Sequence, residues 1–164
     1  MSGKIWLGTV NWTRHKDFYP EGMRPADRLA YYARYLPMVE LNASFYRIFS
    51  ARQYTQWAAR THAGFGFLVK VCRAISWHLK NEPPVAEHFK AHLRAIEPLR
   101  AAGKFLGFLV QFPPWFRRSE RNHAYPERLV PAFRMTASAL NCVTGIGLRV
   151  MRAPKRWNDY GDSG

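Results

Sequence analysis

The position best placed for chemistry is a glutamate set inside an apolar run, Met38-Val39-Glu40-Leu41-Asn42. A buried carboxylate is costly unless something offsets its charge, and Glu40 is the only Asp or Glu between Asp27 and Glu82. A second apolar run, Phe65-Gly66-Phe67-Leu68-Val69-Lys70, ends in a cation. Lys70 is therefore the expected partner of Glu40, and two readings follow. The pair is an ion pair that only fixes geometry, or Glu40 is a general acid/base while Lys70 tunes its charge or grips an anionic substrate. Glu40 and Lys70 are thus the candidate catalytic residues.

Other polar residues gather just after the same kind of run. Asn11 and Trp12 follow the first, Asn42, Ser44 and Tyr46 follow Glu40, Arg73 follows Lys70, and Gln111 ends the run Phe105 to Gln111. These are the candidate substrate-binding residues. Strand side chains alternate between faces, so Glu40 and Asn42 share one face. Gly66, Leu68 and Lys70 share another, as do Gly107, Leu109 and Gln111. A small residue low and a polar residue high recurs in the last two, which points these faces into a common interior with the polar ends converging on one rim.

Competing chemistries lack their residues. A metal centre needs clustered His, Asp, Glu or Cys, and no metal or cofactor is expected. His88 and His92 stand at i, i+4 without an evident third ligand and read as a surface pair. A glycosidase lacks its second carboxylate, and Ser44 lacks a neighbouring His–Asp arrangement. Cys72 and Cys142 belong to no CxxC pair and read as unrelated buried thiols. Rim aromatics, among them Phe45, Trp77, Trp115 and Phe116, could stack on a base or sugar, although ordinary packing of loops onto the barrel is the more frequent use of such residues.

The elements that must position these residues alternate. Strands are expected at Lys4 to Thr9, Met38 to Asn42, Phe65 to Val71 and Phe105 to Phe112. Helices are expected at Arg24 to Leu36, from a Ser50 cap to about Arg60, and at Pro84 to Ala102, closed by Gly103. Alternation with short connections indicates parallel βα units. Gly8-Thr9-Val10-Asn11-Trp12 is not a dinucleotide-binding turn and no P-loop occurs, which favours a barrel over a doubly wound sheet. The expected fold class is α/β: a partial TIM-type (β/α) barrel of about four βα units plus an irregular C-terminal tail. A complete barrel needs about 200 residues or more, and the sequence has 164.

The chain carries 25 Lys and Arg against 11 Asp and Glu, a net charge of +14, which suits a phosphate-bearing small molecule or nucleic acid as ligand. The basic residues form no single stripe, so the charge alone does not separate an enzyme from a non-catalytic nucleic-acid-binding or scaffold protein. No apolar run reaches the roughly 20 residues of a membrane helix, and the first residues lack a signal-peptide core. The expectation is a cytoplasmic location with no membrane partner.

Four ordered motifs resemble the YecE-like family, domain of unknown function 72. Gly8-Thr9-Val10-Asn11-Trp12 is similar to its opening Gly-Thr/Cys-Ser-Gly-Trp, with Val10 and Asn11 in place of Ser-Gly. Val39 to Tyr46 resembles its Val-Glu-hydrophobic-Asn-x-Ser/Thr-Phe-Tyr signature. Phe65 to Lys70 with Arg73 to Ser76 resembles its third-strand motif, and Gly107 to Phe116 its Gln-hydrophobic-Pro-Pro motif. The resemblance implies a TIM-type barrel and no established activity.

The family's next strand, roughly Val-Glu-hydrophobic-Arg-His-x-x-Trp, is absent as translated. Codons for Arg134 to Leu148 chosen with that motif in view, and read one base earlier from the Phe133 codon, encode PDDRIGVELRHRDWA. The expectation is a one-base deletion near that codon, dividing the chain into residues 1–133, the N-terminal part of a barrel, and 134–164, an out-of-frame tail; the alternative is a genuine short homologue with a divergent tail. Such a part barrel would leave edges at Ile5 to Thr9 and Phe105 to Gln111 unpaired and expose Leu68 and Leu109, with self-association as the outcome.

Overall fold

Consecutive strands can lie parallel and adjacent only if each connection crosses the sheet, and right-handed crossovers put every helix on the same side. The computed structural model follows this rule; it describes residues 6–79, 86–116, 122 and 125, and the backbone alone of 139–143 and 148–152. Its elements are β1 (Gly8–Val10), α1 (Arg28–Tyr32), β2 (Met38–Leu41), α2 (Ala51–Ala59), β3 (Gly66–Lys70), α3 (Ala86–Ala95), α4 (Glu97–Ala101), β4 (Phe105–Gln111), β5 (Ala139–Val143) and β6 (Leu148–Arg152). Short 3-10 turns span Lys16–Phe18 and Asn42–Phe45. The sheet order is β1-β2-β3-β4-β5-β6. Pairing is parallel as far as β5, and β6 returns antiparallel beside it.

The expected βα alternation is present, with differences at the ends of elements. The helix expected over 84–102 is two, α3 and α4, meeting at Ile96. Pro98 has no N–H to bond back to residue 94, and its ring crowds that carbonyl. Gly103 then takes φ +66° and ends α4. Within the tail read as irregular, 139–143 and 148–152 are strands, and β4 is not an edge because β5 pairs with it. The start of the first expected strand, residues 4 and 5, lies outside the described residues. Among those described, no helix is long and apolar enough to cross a membrane.

The helix-facing side of the sheet is the core. Val39, Leu41, Phe67, Val69, Phe108 and Val110 alternate along their strands and pack with Leu29, Tyr32, Tyr54, Trp57, Ile96 and Leu99, all buried. Each such side chain contributes roughly 1.5–3 kcal/mol. One polar group caps a helix and two link separate elements. The Ser50 side chain caps α2 by accepting from Gln53 N–H. The Tyr32 hydroxyl accepts from Thr9 N–H at 2.8 Å and donates to the Met38 carbonyl at 3.0 Å, joining α1 to β1 and β2. Lys104, 7% exposed, donates Nζ to the carbonyls of Ala58 and Thr61 and to Thr61 Oγ1. It sits where the carbonyls ending α2 have no helical partners and the helix dipole favours a cation.

A bulge resets β4. Phe67 pairs with Phe105 but Leu68 pairs with Gly107, so Leu106 is the extra residue. Leu106 fills the space beside Gly66, where a Cβ would stand 2.5 Å from its side chain. Gly107 accommodates the kink at φ +150°. As a result Phe105 joins Phe108 on the helix side, with ring centroids 4.9 Å apart, and Leu109 faces away. Leu109 is 8% exposed, and Leu68 is half-buried. The expectation that both lie open to water fails for Leu109.

His92 corrects another expectation. It is fully buried, with its ring stacked on Phe108 at 5.1 Å, and is not half of a surface pair with His88. The helix period that buries Ala95, Ile96 and Leu99 turns His92 inward with them. Among the described residues neither ring nitrogen has a hydrogen-bond partner, and burial pushes the pKa from 6.5 down to about 4.

Two predictions follow. In Lys104→Met, the carbonyls of Ala58 and Thr61 lose a charged donor, and stability measured by urea denaturation should fall by about 2 kcal/mol. His92 is protonated more readily in the unfolded chain, so its stabilising contribution is complete above about pH 6.5 and is lost as pH falls toward 4. That loss is roughly 3 kcal/mol. His92→Phe should remove this part of the acid limb, and identical pH slopes for the two proteins would refute the assignment.

Candidate functional site

The side of the sheet away from the helices carries the polar residues, and register places them in layers. Glu40 pairs with Leu68, which pairs with Gly107; one layer higher, Lys70 pairs with Leu109. The β1–β2 ladder continues upward, with Asn11 N–H donating to the Glu40 carbonyl at 2.9 Å. Asn42, just past the end of β2, comes level with Lys70. Lys70 Nζ donates to Asn42 Oδ1 at 2.9 Å and stands 4.9 Å from the centroid of the Phe45 ring. Glu40, Asn42, Phe45 and Lys70 are all half-buried.

This arrangement replaces the expected Glu40–Lys70 ion pair. The ion pairs among the described residues are Arg24–Asp27, Lys90–Glu87, Arg94–Glu87 and Arg100–Glu97. The Lys70 ammonium is held by a neutral amide and an aromatic face. Glu40 and Lys70 still feel each other. Burial pushes Glu40 up, only partly countered by the Lys70 charge, and burial pushes Lys70 down, only partly countered by Glu40. Both shifts disfavour the charged form, as expected for groups near an apolar sheet that do not touch.

The remaining candidates separate. Asn11 takes φ +54°, a conformation that glycine adopts freely and Asn tolerates better than other residues. That accounts for Asn in place of the glycine of the opening motif. Trp12 packs edge-on against Trp57 at 5.2 Å, and its carbonyl accepts from the Tyr19 hydroxyl, so it serves the fold. Ser44 is fully buried, and its one hydroxyl proton is engaged by the carbonyls of Leu41 and Lys70. Tyr46 is 68% exposed and stands edge-on to Phe45. Arg73 is exposed, its N–H donating to the Phe45 carbonyl at 2.9 Å. Gln111 is exposed, two residues beyond the Leu109 that pairs with Lys70, and therefore above the Lys70–Asn42 contact.

His78 belongs to no sequence motif that marks it for the site. Its ring stands edge-on to Phe45 at 4.7 Å, and its Nδ1 is 2.9 Å from Ser76 Oγ. Loop residues have no periodicity, and only the folded loop brings position 78 back over β3. The other rim aromatics pack on one another: Phe116 stacks on Phe112 at 4.3 Å, and Tyr125 contacts Trp77 and donates to the Ile75 carbonyl. Cys72 is buried, and the Cys142 side chain lies outside the described residues. Among those described, no group of three or more His, Cys, Asp or Glu could hold a metal ion. The described face thus carries one half-buried ammonium, Lys70, and one half-buried carboxyl, Glu40.

Comparison with known proteins agrees with the architecture. The family described as "Protein of unknown function DUF72" matches residues 6–142, beyond the Phe133 boundary and into β5. The UPF0759 protein YunF of Bacillus subtilis is 35% identical over 124 residues, covering 74% of this chain and 44% of that protein. A DUF72 family crystal structure from Enterococcus faecalis superposes with TM-score 0.73 at 26% identity, covering 85% of this chain and 50% of that one. Another from Thermotoga maritima gives 0.70 at 27% identity, with 85% and 55% covered. The chain therefore spans about half the length of these relatives, and its parallel α/β sheet is a partial TIM-type barrel. The chain belongs to the DUF72 family.

Proposed function

We propose that this face of the sheet binds a phosphate-bearing ligand, with Lys70 as its cationic anchor, Asn42 as the group that aims Lys70, and Glu40 as the acid/base. One observation carries the reading: the Lys70 ammonium, half-buried where the parallel strands end, is held by Asn42 and Phe45, and among the described residues it has no ion-pair partner. In parallel α/β folds ligands bind at that end. Glu40, displaced toward its neutral form, can hold a proton near the anion. Arg73 and Gln111 supply outer contacts.

Inorganic phosphate, titrated calorimetrically, tests the anchor. Lys70→Met should weaken binding at least about tenfold, the loss of one charge-assisted contact. Glu40→Gln should bind phosphate at least as tightly as the parent, because whatever negative charge the carboxyl carries is removed from beside the anion. Against chromogenic phosphate mono- and diesters, Glu40→Gln should also abolish whatever turnover the parent shows. Undiminished phosphate binding in Lys70→Met would overturn the proposal. The net charge of +14 supports a second reading, a non-catalytic nucleic-acid-binding protein. That reading requires affinity for DNA or RNA to fall steeply with salt, alongside no turnover by the parent.

We also propose the one-base deletion near the Phe133 codon. The shifted frame would put Val-Glu-Leu-Arg at positions 140–143 of β5, the strand that extends the parallel sheet beyond β4. Sequencing the gene around the Phe133 codon tests it. Restoring one base should open a frame through that motif, and an early stop in the shifted frame would dispose of the idea.

A further inference from the structure

We infer that His78 is the second cationic arm of this anion site: it is neutral when the site is empty and takes up a proton when a doubly charged anion, such as a phosphate monoester, binds beside Lys70. The inference rests on the phosphate-binding reading and adds to it a named residue and a proton.

Geometry carries the argument. One ring, Phe45, supports both groups, with the Lys70 ammonium 4.9 Å from its centroid and the His78 imidazole edge-on at 4.7 Å. The imidazole is fixed at both ends of its segment. Nδ1 lies 2.9 Å from Ser76 Oγ, and the backbone N–H donates to the Arg73 carbonyl at 3.1 Å. Ser76 is itself fully buried, and its hydroxyl also lies within reach of the Cys72 carbonyl at 3.4 Å. Trp77, between them, takes φ +59°, an uncommon conformation for a bulky residue, and this turn brings His78 back over β3. Strained backbone of this kind persists where the surrounding structure enforces it.

Among the described residues, Lys70 on β3 is the charged group that acts on the imidazole; Glu40 stands one layer below Lys70 on β2, and Arg73, in the same loop as His78, is exposed. Burial, and then the Lys70 charge, hold the His78 pKa below its ordinary value. An anion on Lys70 cancels that repulsion and adds an attraction of its own, so binding and proton uptake must reinforce each other. Neutral imidazole also makes the empty site less costly to keep, because two adjacent half-buried cations would repel each other.

Sulfate is the probe, because it carries two charges throughout the range used and its own titration does not intrude. Imidazole resonances of the full chain are followed by NMR with and without saturating sulfate, and affinity is measured at about pH 8 and about pH 6. The His78 pKa should rise on sulfate binding, and it should also rise in sulfate-free Lys70→Met. Affinity should increase on acidification by up to about tenfold, the equivalent of one unit of pKa rise. In His78→Gln that increase should be lost while Lys70-dependent binding remains. Sulfate that binds through Lys70 with no movement of the His78 resonances overturns the role of His78 and leaves the anchor intact. Absence of sulfate binding by the parent overturns both. The parent protein alone decides the NMR arm, so a poorly folded variant does not obscure it.

Discussion

The arrangement depends on one constraint: a sheet of consecutive parallel strands has all its crossover helices on one side. That side becomes the apolar core, formed by Val39, Leu41, Phe67, Val69, Phe108 and Val110 under α1, α2 and α4. The other side is left to the alternate residues, and only there can Glu40, Asn42 and Lys70 stand without opening the core. Chemistry and packing thus occupy opposite faces of the same strands. A charge such as Lys70 can sit one residue from the fully buried Val69 and Val71 because neighbouring positions point to different environments.

The sequence made the alternating βα units legible because the period of apolar residues changes from two to near four between strands and helices. It made the site face legible as well, since parity along a strand survives folding; Glu40, Asn42 and Lys70 emerged on one face. Parity misleads where a residue is inserted. Phe105 counts with Gly107 and Leu109, yet the bulge at Leu106 turns it to the helix side. In the tail, Ala139–Val143 and Leu148–Arg152 are mostly apolar stretches of five residues, too short for pattern alone to separate strand from irregular chain, and their pairing is a matter of long-range backbone hydrogen bonds. The partner of Lys70 was misjudged for a similar reason. Charge complementarity suggested Glu40, but a pair one layer apart in the register is farther than the amide of Asn42, which reaches the same level.

Polar residues in the core follow a second logic. Lys104, Tyr32 and Ser44 are all buried, and each is engaged by backbone groups that the regular elements leave over: the end of α2, the start of β1, and the top of β2. Composition cannot distinguish such residues from ligand-binding ones, because both are polar residues close to strand or helix ends. Burial together with bonds to protein carbonyls is what distinguishes them, and Ser44 has both. His92 is the exception, buried beside Phe108 with neither ring nitrogen bonded among the described residues. It makes the helix layer sensitive to acid independently of the site.

The Ser44 hydroxyl has a mechanical consequence. Its single proton is shared between the Leu41 carbonyl at the end of β2 and the Lys70 carbonyl at the end of β3. The two strands are therefore fastened together at the level of the Lys70–Asn42 contact. The loops above can rearrange around a ligand without altering the spacing of the residues that would receive it. Opening that spacing requires releasing the hydroxyl and both strand ends at once, a cooperative event whose cost lies well above that of loop motion. In kinetic terms, the upper loops and the strand tops belong to different opening units: amide hydrogens of the former exchange by frequent local excursions, and those around Leu41 and Val71 only by the rarer joint separation of β2 from β3.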